Sequence, residues 1–424
     1  MKAGAFCIRN ILMKKRILYF LVSLVAALTV SSCTEEGTDI ESINKQTILV
    51  FMPWTGTANG SQGLYPYFKQ NLDSIESAIL KARQMDGKVL VFLSSSANKS
   101  SLYEITLENN KIQHTPIKEY SGNSYTTADG ITQLLNDVKN IANALNYAMV
   151  ISSHGMGWTF KDDWNNYPYS AKPKPIAHGS CNGIGKFVPY YPTRFYGSVD
   201  DISNYGTDIE SLETGIRNAG IKMQFILFDD CYMANVETAY QLKDVTNFLI
   251  GSTSEVMVQG MPYQTMWAAL ASPIPTYATI TDAFYKFYSN YKPPCGTLSV
   301  IDCRQMDRLA ELMKLINTKF KFDSNKLDSI QVLDGFSKSI FYDMKDYVDS
   351  LCTDKDLLND FNSALKQATK STVHTDSIYS ALNPVDGGKY IKLKRYSGIT
   401  ISDPSIHNVA LKGKEKTTWW KATH

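Results

Sequence analysis

Two side chains able to do covalent chemistry together stand just beyond apolar runs of this chain. Cys231 follows Gln224-Phe225-Ile226-Leu227-Phe228 and two aspartates, Asp229 and Asp230. His154 follows Tyr147-Ala148-Met149-Val150-Ile151 and two serines. A thiol needs a base or a positive field to become a thiolate near neutral pH, and an imidazole on a neighbouring strand end supplies the base. Gly155 leaves room for a substrate backbone, and its N–H can face a developing oxyanion, with the Cys231 amide as the second donor. A histidine at a strand end is most often only hydrogen-bonded, and a cysteine after a buried strand is most often a small core residue. It is the pair, at two successive strand ends, that carries the chemical reading.

Such a pair needs a sheet to position it. Six apolar runs without alternation suit strands buried on both faces, as in a parallel sheet. They cover 47–52, 88–93, 147–151, 224–228, 247–251 and 297–301. Between them lie helix-period faces: Leu72, Ile75, Ile79 and Leu80; Ile131, Leu134, Leu135, Val138, Ile141 and Leu145; Ile209, Leu212 and Ile216; and Val236, Ala239 and Tyr240. Strands and helices in alternation predict an α/β sheet covered by crossover helices, with ligands beyond the carboxyl ends of the strands. The stretch 160–196 breaks the rhythm and is expected to be a long loop. Residues 304–385 are expected to be mainly helical, with Met306, Leu309, Leu312, Met313 and Ile316 on one face. A returning strand is expected over 390–403, centred on Gly398-Ile399-Thr400-Ile401-Ser402.

The amino terminus reads as an address. Met13-Lys14-Lys15-Arg16 is a positive region, and 17–30 is an apolar run too short for an ordinary transmembrane helix. Val30-Ser31-Ser32-Cys33 then resembles the end of a bacterial lipoprotein signal, which implies a lipid anchor at Cys33; a plain secretory signal is the alternative. Export to the cell envelope follows, with the protein anchored to the outer membrane or cell surface, or secreted. Residues 1–33 are the signal and 34–46 a polar tether. The 424 residues carry 43 Lys and Arg against 41 Asp and Glu, a net charge of +2, so no basic surplus exists to neutralise nucleic-acid phosphates. Of seven cysteines, setting aside Cys7 and Cys33 leaves Cys181, Cys231, Cys295, Cys303 and Cys352. That is too sparse for a disulfide scaffold, and the odd number leaves at least one thiol without a partner in the chain.

His154-Gly155-Met156-Gly157-Trp158 resembles the His-Gly-x-Gly-Trp signature of clostripain-like cysteine peptidases. Asp229-Asp230-Cys231-Tyr232-Met233-Ala234-Asn235-Val236-Glu237 resembles their Asp-Ala-Cys-x-Met-x-x-Val-Glu segment. Val199-Asp200-Asp201, with Leu212, is similar to the acidic loop and helix before the cysteine strand. The resemblance implies a caspase-like three-layer α/β/α sandwich with a mainly parallel sheet, here a core over 47–303. A C-terminal helical extension over 304–424, with its returning strand, packs on that core. It implies a cysteine endopeptidase with Cys231 as nucleophile and His154 as base and acid, cleaving after Arg or Lys. Asp229, two residues before the nucleophile, is then expected to bind the basic side chain, a charge-assisted contact, with Glu255 as a second substrate-binding residue. The partner is a peptide or protein substrate, and a monomer is expected. Self-cleavage in relatives makes Lys172, Lys174, Lys186 and Arg194 candidate bonds. No cofactor is required; calcium on Asp200, Asp201 and Asp208 is the one option, and an exposed acidic loop is the simpler reading.

The chain departs from the pattern twice. Asp230 stands where a small residue is usual, and a carboxylate against the thiol disfavours the thiolate unless it points away. Ser254-Glu255-Val256-Met257-Val258-Gln259-Gly260 replaces Ser-Glu-Glu-Thr-x-Pro-Gly, which makes one pocket wall more apolar. Asp230 leaves open a degenerate, peptide-binding surface lipoprotein. His178-Gly179-Ser180-Cys181 lacks a preceding strand and reads as loop. Gly183-Ile184-Gly185-Lys186-Phe187 has the wrong residue for a phosphate loop, and His114, His374, His407 and His424 lack metal-ligand spacing.

Overall fold

The computed structural model describes residues 44–164, 201–382 and 388–424. All six apolar runs are strands. They are β1 (Gln46–Met52), β2 (Lys88–Ser96), β5 (Asn146–Ser152), β6 (Met223–Asp229), β7 (Thr246–Gly251) and β8 (Thr297–Asp302). Three further strands join their sheet: β3 (Lys99–Glu108), β4 (Lys111–Tyr120) and β10 (Thr369–His374). The order across the nine strands is β10-β8-β7-β6-β5-β1-β2-β3-β4. The centre, β2-β1-β5-β6-β7, is parallel. Both margins are antiparallel: β2-β3-β4 on one side, β7-β8-β10 on the other.

Two apolar cores, one on each face, make the three layers. On one face the helix Ala128–Ile141 buries Ile131, Leu134, Leu135 and Val138, and the helix Ile209–Asn218 buries Leu212 and Ile216. On the other, the helix Tyr65–Ala82 buries Phe68, Leu72, Ile75 and Ile79. Each such side chain is worth about 1.5–3 kcal/mol when fully buried. Pro66 suits the first turn of that helix, and Arg83 in a left-handed conformation (φ 56°) ends it.

The last third of the chain departs from the expected pattern. Its longer helices are Met306–Lys319, Met344–Leu351 and Lys355–Ala368, with two short ones, Asn408–Gly413 and Thr418–Thr423, near the end. The segment that returns to the main sheet is β10, within the stretch expected to be helical. Thr369, Ser371 and Val373 are half-buried and alternate with exposed Lys370, Thr372 and His374, a pattern that suits an edge strand. The expected strand over 390–403 is instead divided. β11 (Ser377–Ser380) pairs with β12 (Lys389–Lys392), and β9 (Tyr342–Asp343) pairs with β13 (Thr400–Ile401). Thr400 also bridges Asn235, just beyond β6.

Chain order reverses at β1. The chain moves outward through β2, then returns to the other side of β1 for β5 and continues to β6 and β7. Such a reversal opens a crevice beyond the carboxyl ends of the strands, the preferred ligand site of open α/β sheets.

Candidate active site

Register brings His154 and Cys231 into step. β5 and β6 run parallel with Ile151 opposite Phe228 and Ser152 opposite Asp229. Two residues on from that last pair the chain reaches His154 on one strand and Cys231 on the other. The turns are in close contact: a Cβ at Gly155 would lie 2.3 Å from the Cys231 carbonyl O and 2.8 Å from its N. No side chain fits there, so glycine at 155 is what lets the two backbones approach.

Asp230 fastens the same junction. Its Oδ1 accepts the Ser153 N–H at 2.6 Å, joining the residue before the histidine to the residue before the cysteine. One oxygen of the carboxylate that sequence set against the thiol is thus committed to the neighbouring strand. Asp230→Ala would strand a part-buried N–H, at about 1–3 kcal/mol. Urea unfolding should show that loss for Asp230→Ala and a smaller one for Asp230→Asn, which keeps an acceptor. Equal stability of all three proteins would contradict this role.

The sulfur is enclosed. Cys231 is fully buried, with Sγ 3.2 Å from the Val256 N and 3.8 Å from its carbonyl O. The Val256 N–H donates to the sulfur, and the thiol faces the carbonyl of the same residue. Elsewhere, burial pushes the Cys295 thiol up to about 12 and raises those of Cys303 and Cys352, which keeps them protonated at neutral pH.

The residue after Cys231 holds the turn. Tyr232 has φ 63°, left-handed and costly (about 1–3 kcal/mol) for a bulky side chain. Its N–H donates to the Ser254 carbonyl at 3.0 Å, and its own carbonyl accepts from Asn235 Nδ2 at 2.7 Å. Its ring stacks on Phe341 at 4.7 Å, and its hydroxyl donates to Glu255 Oε1 at 2.9 Å. Phe341 is fixed in turn by Asp334, which accepts the N–H groups of Ile340 and Phe341; burial raises the Asp334 carboxyl to about 7. Sequence gave no sign of this bracing, because nothing about a tyrosine announces a positive φ.

Asp229 and Glu255 occupy different settings. Asp229 is fully buried beside Cys231, and its Oδ2 accepts from Tyr263 OH at 2.8 Å and Ser152 Oγ at 3.1 Å. Glu255 accepts from Tyr232 OH, from Ser380 Oγ and from the Ala381 N–H at 3.1 Å. It therefore clamps the end of β11 to the turn that carries Cys231 and Tyr232. The two signature segments also meet through the 399–402 stretch: Trp158 Nε1 donates to Ser402 Oγ at 2.8 Å, and the Ser402 N–H donates to Glu237 Oε1 at 2.7 Å. Burial, reinforced by Asp403, raises the Glu237 carboxyl to about 8.

Of the acidic loop, Asp208 accepts the Lys161 N–H and Asp201 accepts from Asn204. Among the described residues no three His, Cys, Asp or Glu side chains converge as a metal site would require. Asp200, the bonds after Lys172, Lys174, Lys186 and Arg194, and the His178-to-Cys181 segment lie outside the described residues. So do Cys33 and the whole of 1–43. Among the described residues no helix is long and apolar enough to cross a membrane.

The sequence model of the clostripain family matches residues 196–396, a span that includes Cys231 and begins after His154. A secreted C11 cysteine protease from Bacteroides thetaiotaomicron is 40% identical, with a TM-score of 0.78 over 90% of this chain and 100% of that one. A clostripain from Bacteroides thetaiotaomicron ATCC 29148, solved with the peptide inhibitor BTN-VLTK-AOMK, is 49% identical. That match covers 52% of this chain and 96% of the other, with a TM-score of 0.50. An inactive zymogen C11 protease from Parabacteroides distasonis shares the fold at 22% identity, with a TM-score of 0.69 over 90% of this chain and 99% of that chain. No curated protein matches. The fold these structures share with this chain is the caspase-like sandwich.

Proposed function

Because the chain belongs to the clostripain family of cysteine peptidases, we infer that it is an exported endopeptidase working through a Cys231–His154 dyad and cleaving after Lys or Arg. The observation that carries this reading is the β5–β6 register, which sets the two residues at matched positions on adjacent strand ends. In the reaction, His154 takes the thiol proton and the Cys231 thiolate attacks the scissile carbonyl carbon. The oxyanion is met by the N–H groups of Gly155 and Cys231. The C–N bond then breaks as His154 gives its proton to the leaving amine. Water, deprotonated by His154, attacks the thioester, and the acid product leaves as the thiolate is restored.

Asp229 is the residue for the basic side chain. It lies two positions before the nucleophile, fully buried, with one oxygen oriented by Tyr263 and Ser152. The inhibitor held by the clostripain relative carries the peptide VLTK, which ends in Lys. Glu255, already bonded by Tyr232, Ser380 and Ala381, serves substrate through the turn it holds. Export rests on the signal-like residues before Cys33 and on the relative described as secreted. Attachment of lipid at Cys33 is part of the same proposal.

The test uses fluorogenic peptides ending in Lys, Arg, Ala or Asp, with and without prior treatment with iodoacetamide. Turnover should appear for the two basic peptides and vanish after alkylation. Alkylation-resistant turnover, or equal turnover of the Asp peptide, would overturn the reading.

A further inference from the structure

A cavity on one face of the sheet shares His154 but not the cysteine. Its wall is built by Phe51 near the end of β1 and Pro53 just beyond it, by Ser153 to Met156 beyond β5, and by Leu212, Phe228 and Met233. It therefore sits at the reversal of strand order, where an α/β sheet offers its crevice. The lining is mostly apolar, and Asp230 supplies a carboxylate at its edge.

Strand alternation separates this cavity from the Asp229 side. Successive side chains along a strand point to opposite faces. Phe228 belongs to one core with Ile151, Leu212 and Met233. Leu227, Cys231 and Tyr263 belong to the other, and Tyr263 is the group that bonds Asp229. A substrate whose basic side chain reaches Asp229 has its acyl half on the Tyr263 side. The amine that departs must be protonated by His154, which lines the opposite cavity. The two halves of the substrate therefore have different faces of the same sheet edge available to them.

Building on the dyad reading, we propose that this cavity is the subsite for the residue immediately after the scissile bond, and that it takes an apolar side chain. Half-buried Ile209 and Thr207 form part of the cavity wall. The apolar lining favours Leu, Ile or Met. Asp230 disfavours Asp and Glu, since a second carboxylate brought into a partly dry cavity meets like charge.

The experiment is a series of internally quenched peptides with Lys fixed before the bond and Leu, Gly, Lys or Glu after it. Leu should exceed Gly in kcat/KM by about 10- to 100-fold, the range one apolar side chain supplies, with Glu lowest. Ile209→Ala should narrow the Leu-to-Gly ratio. A ratio near one in the wild-type protein, or a preference for Glu, overturns the subsite and leaves the dyad standing. Failure to cleave any peptide in the series, with Cys231 inert to alkylation, overturns both.

Discussion

Cys231→Ala should lower turnover of a Lys-ended peptide by at least about a thousandfold, and His154→Ala by a comparable factor. The sulfur makes the bond that replaces the scissile C–N bond, so alanine leaves no covalent route. Without the imidazole, the thiol loses its base and the departing amine its acid. Residues that act as a unit are strongly non-additive, so the double variant should be little slower than either single one. Cys231→Ala removes the sulfur from Val256 N–H, a modest loss of about 1 kcal/mol, so the protein should remain folded. Circular dichroism and steady-state kinetics together check this. His154→Ala retaining more than a tenth of wild-type activity would remove the histidine from the mechanism.

Asp229→Asn should lower kcat/KM for Lys- and Arg-ended peptides by about a hundredfold or more. Truncating one partner of a buried, hydrogen-bonded charge pair costs about 2–5 kcal/mol, much of it the cost of leaving the other charge unpaired. Asparagine keeps an oxygen that can accept from Tyr263 and Ser152, so the change removes charge and spares the local bonding. The rate at which iodoacetamide labels Cys231 should therefore stay close to wild type. Tyr263→Phe, which removes one orienting hydroxyl, should cost less. Equal losses with basic and neutral peptides would show that Asp229 supports the fold without selecting substrate.

Much of the scaffold is legible because buried parallel strands carry an unmistakable pattern. β1 is buried at every position, and its continuous run of apolar residues says so. The same pattern does not report direction, so β8, equally buried, runs antiparallel to β7. β3 and β4 are half-exposed and alternate, which hides them among polar residues; only Leu102 and Ile105 of β3 are core side chains. Their signal is Asn109-Asn110, whose φ values of 50° and 59° suit a two-residue hairpin between alternating segments. β10 follows directly on the helix Lys355–Ala368 without a glycine or proline to mark the change.

The site follows the same division. His154, Gly155, Cys231 and Asp229 announce themselves by type and by their place after strands. Asp230 looked like an obstacle to the thiolate, and its bond to Ser153 is visible only once β5 and β6 are paired. Tyr232, Phe341 and Ser402 brace the turns beyond β5 and β6 through contacts across 109 and more positions of chain, as between Tyr232 and Phe341. No local spacing encodes such contacts.

In the proposed mechanism the Cys231 sulfur, activated by His154, attacks the peptide. A Lys-ended peptidyl acyloxymethyl ketone, followed by proteolytic digestion and mass spectrometry of every cysteine-bearing peptide, tests it most directly. The adduct should fall on Cys231 in the wild-type protein and form far more slowly at neutral pH in His154→Ala. An adduct on Cys181, Cys295, Cys303 or Cys352, or turnover that continues with Cys231 unlabelled, would contradict it.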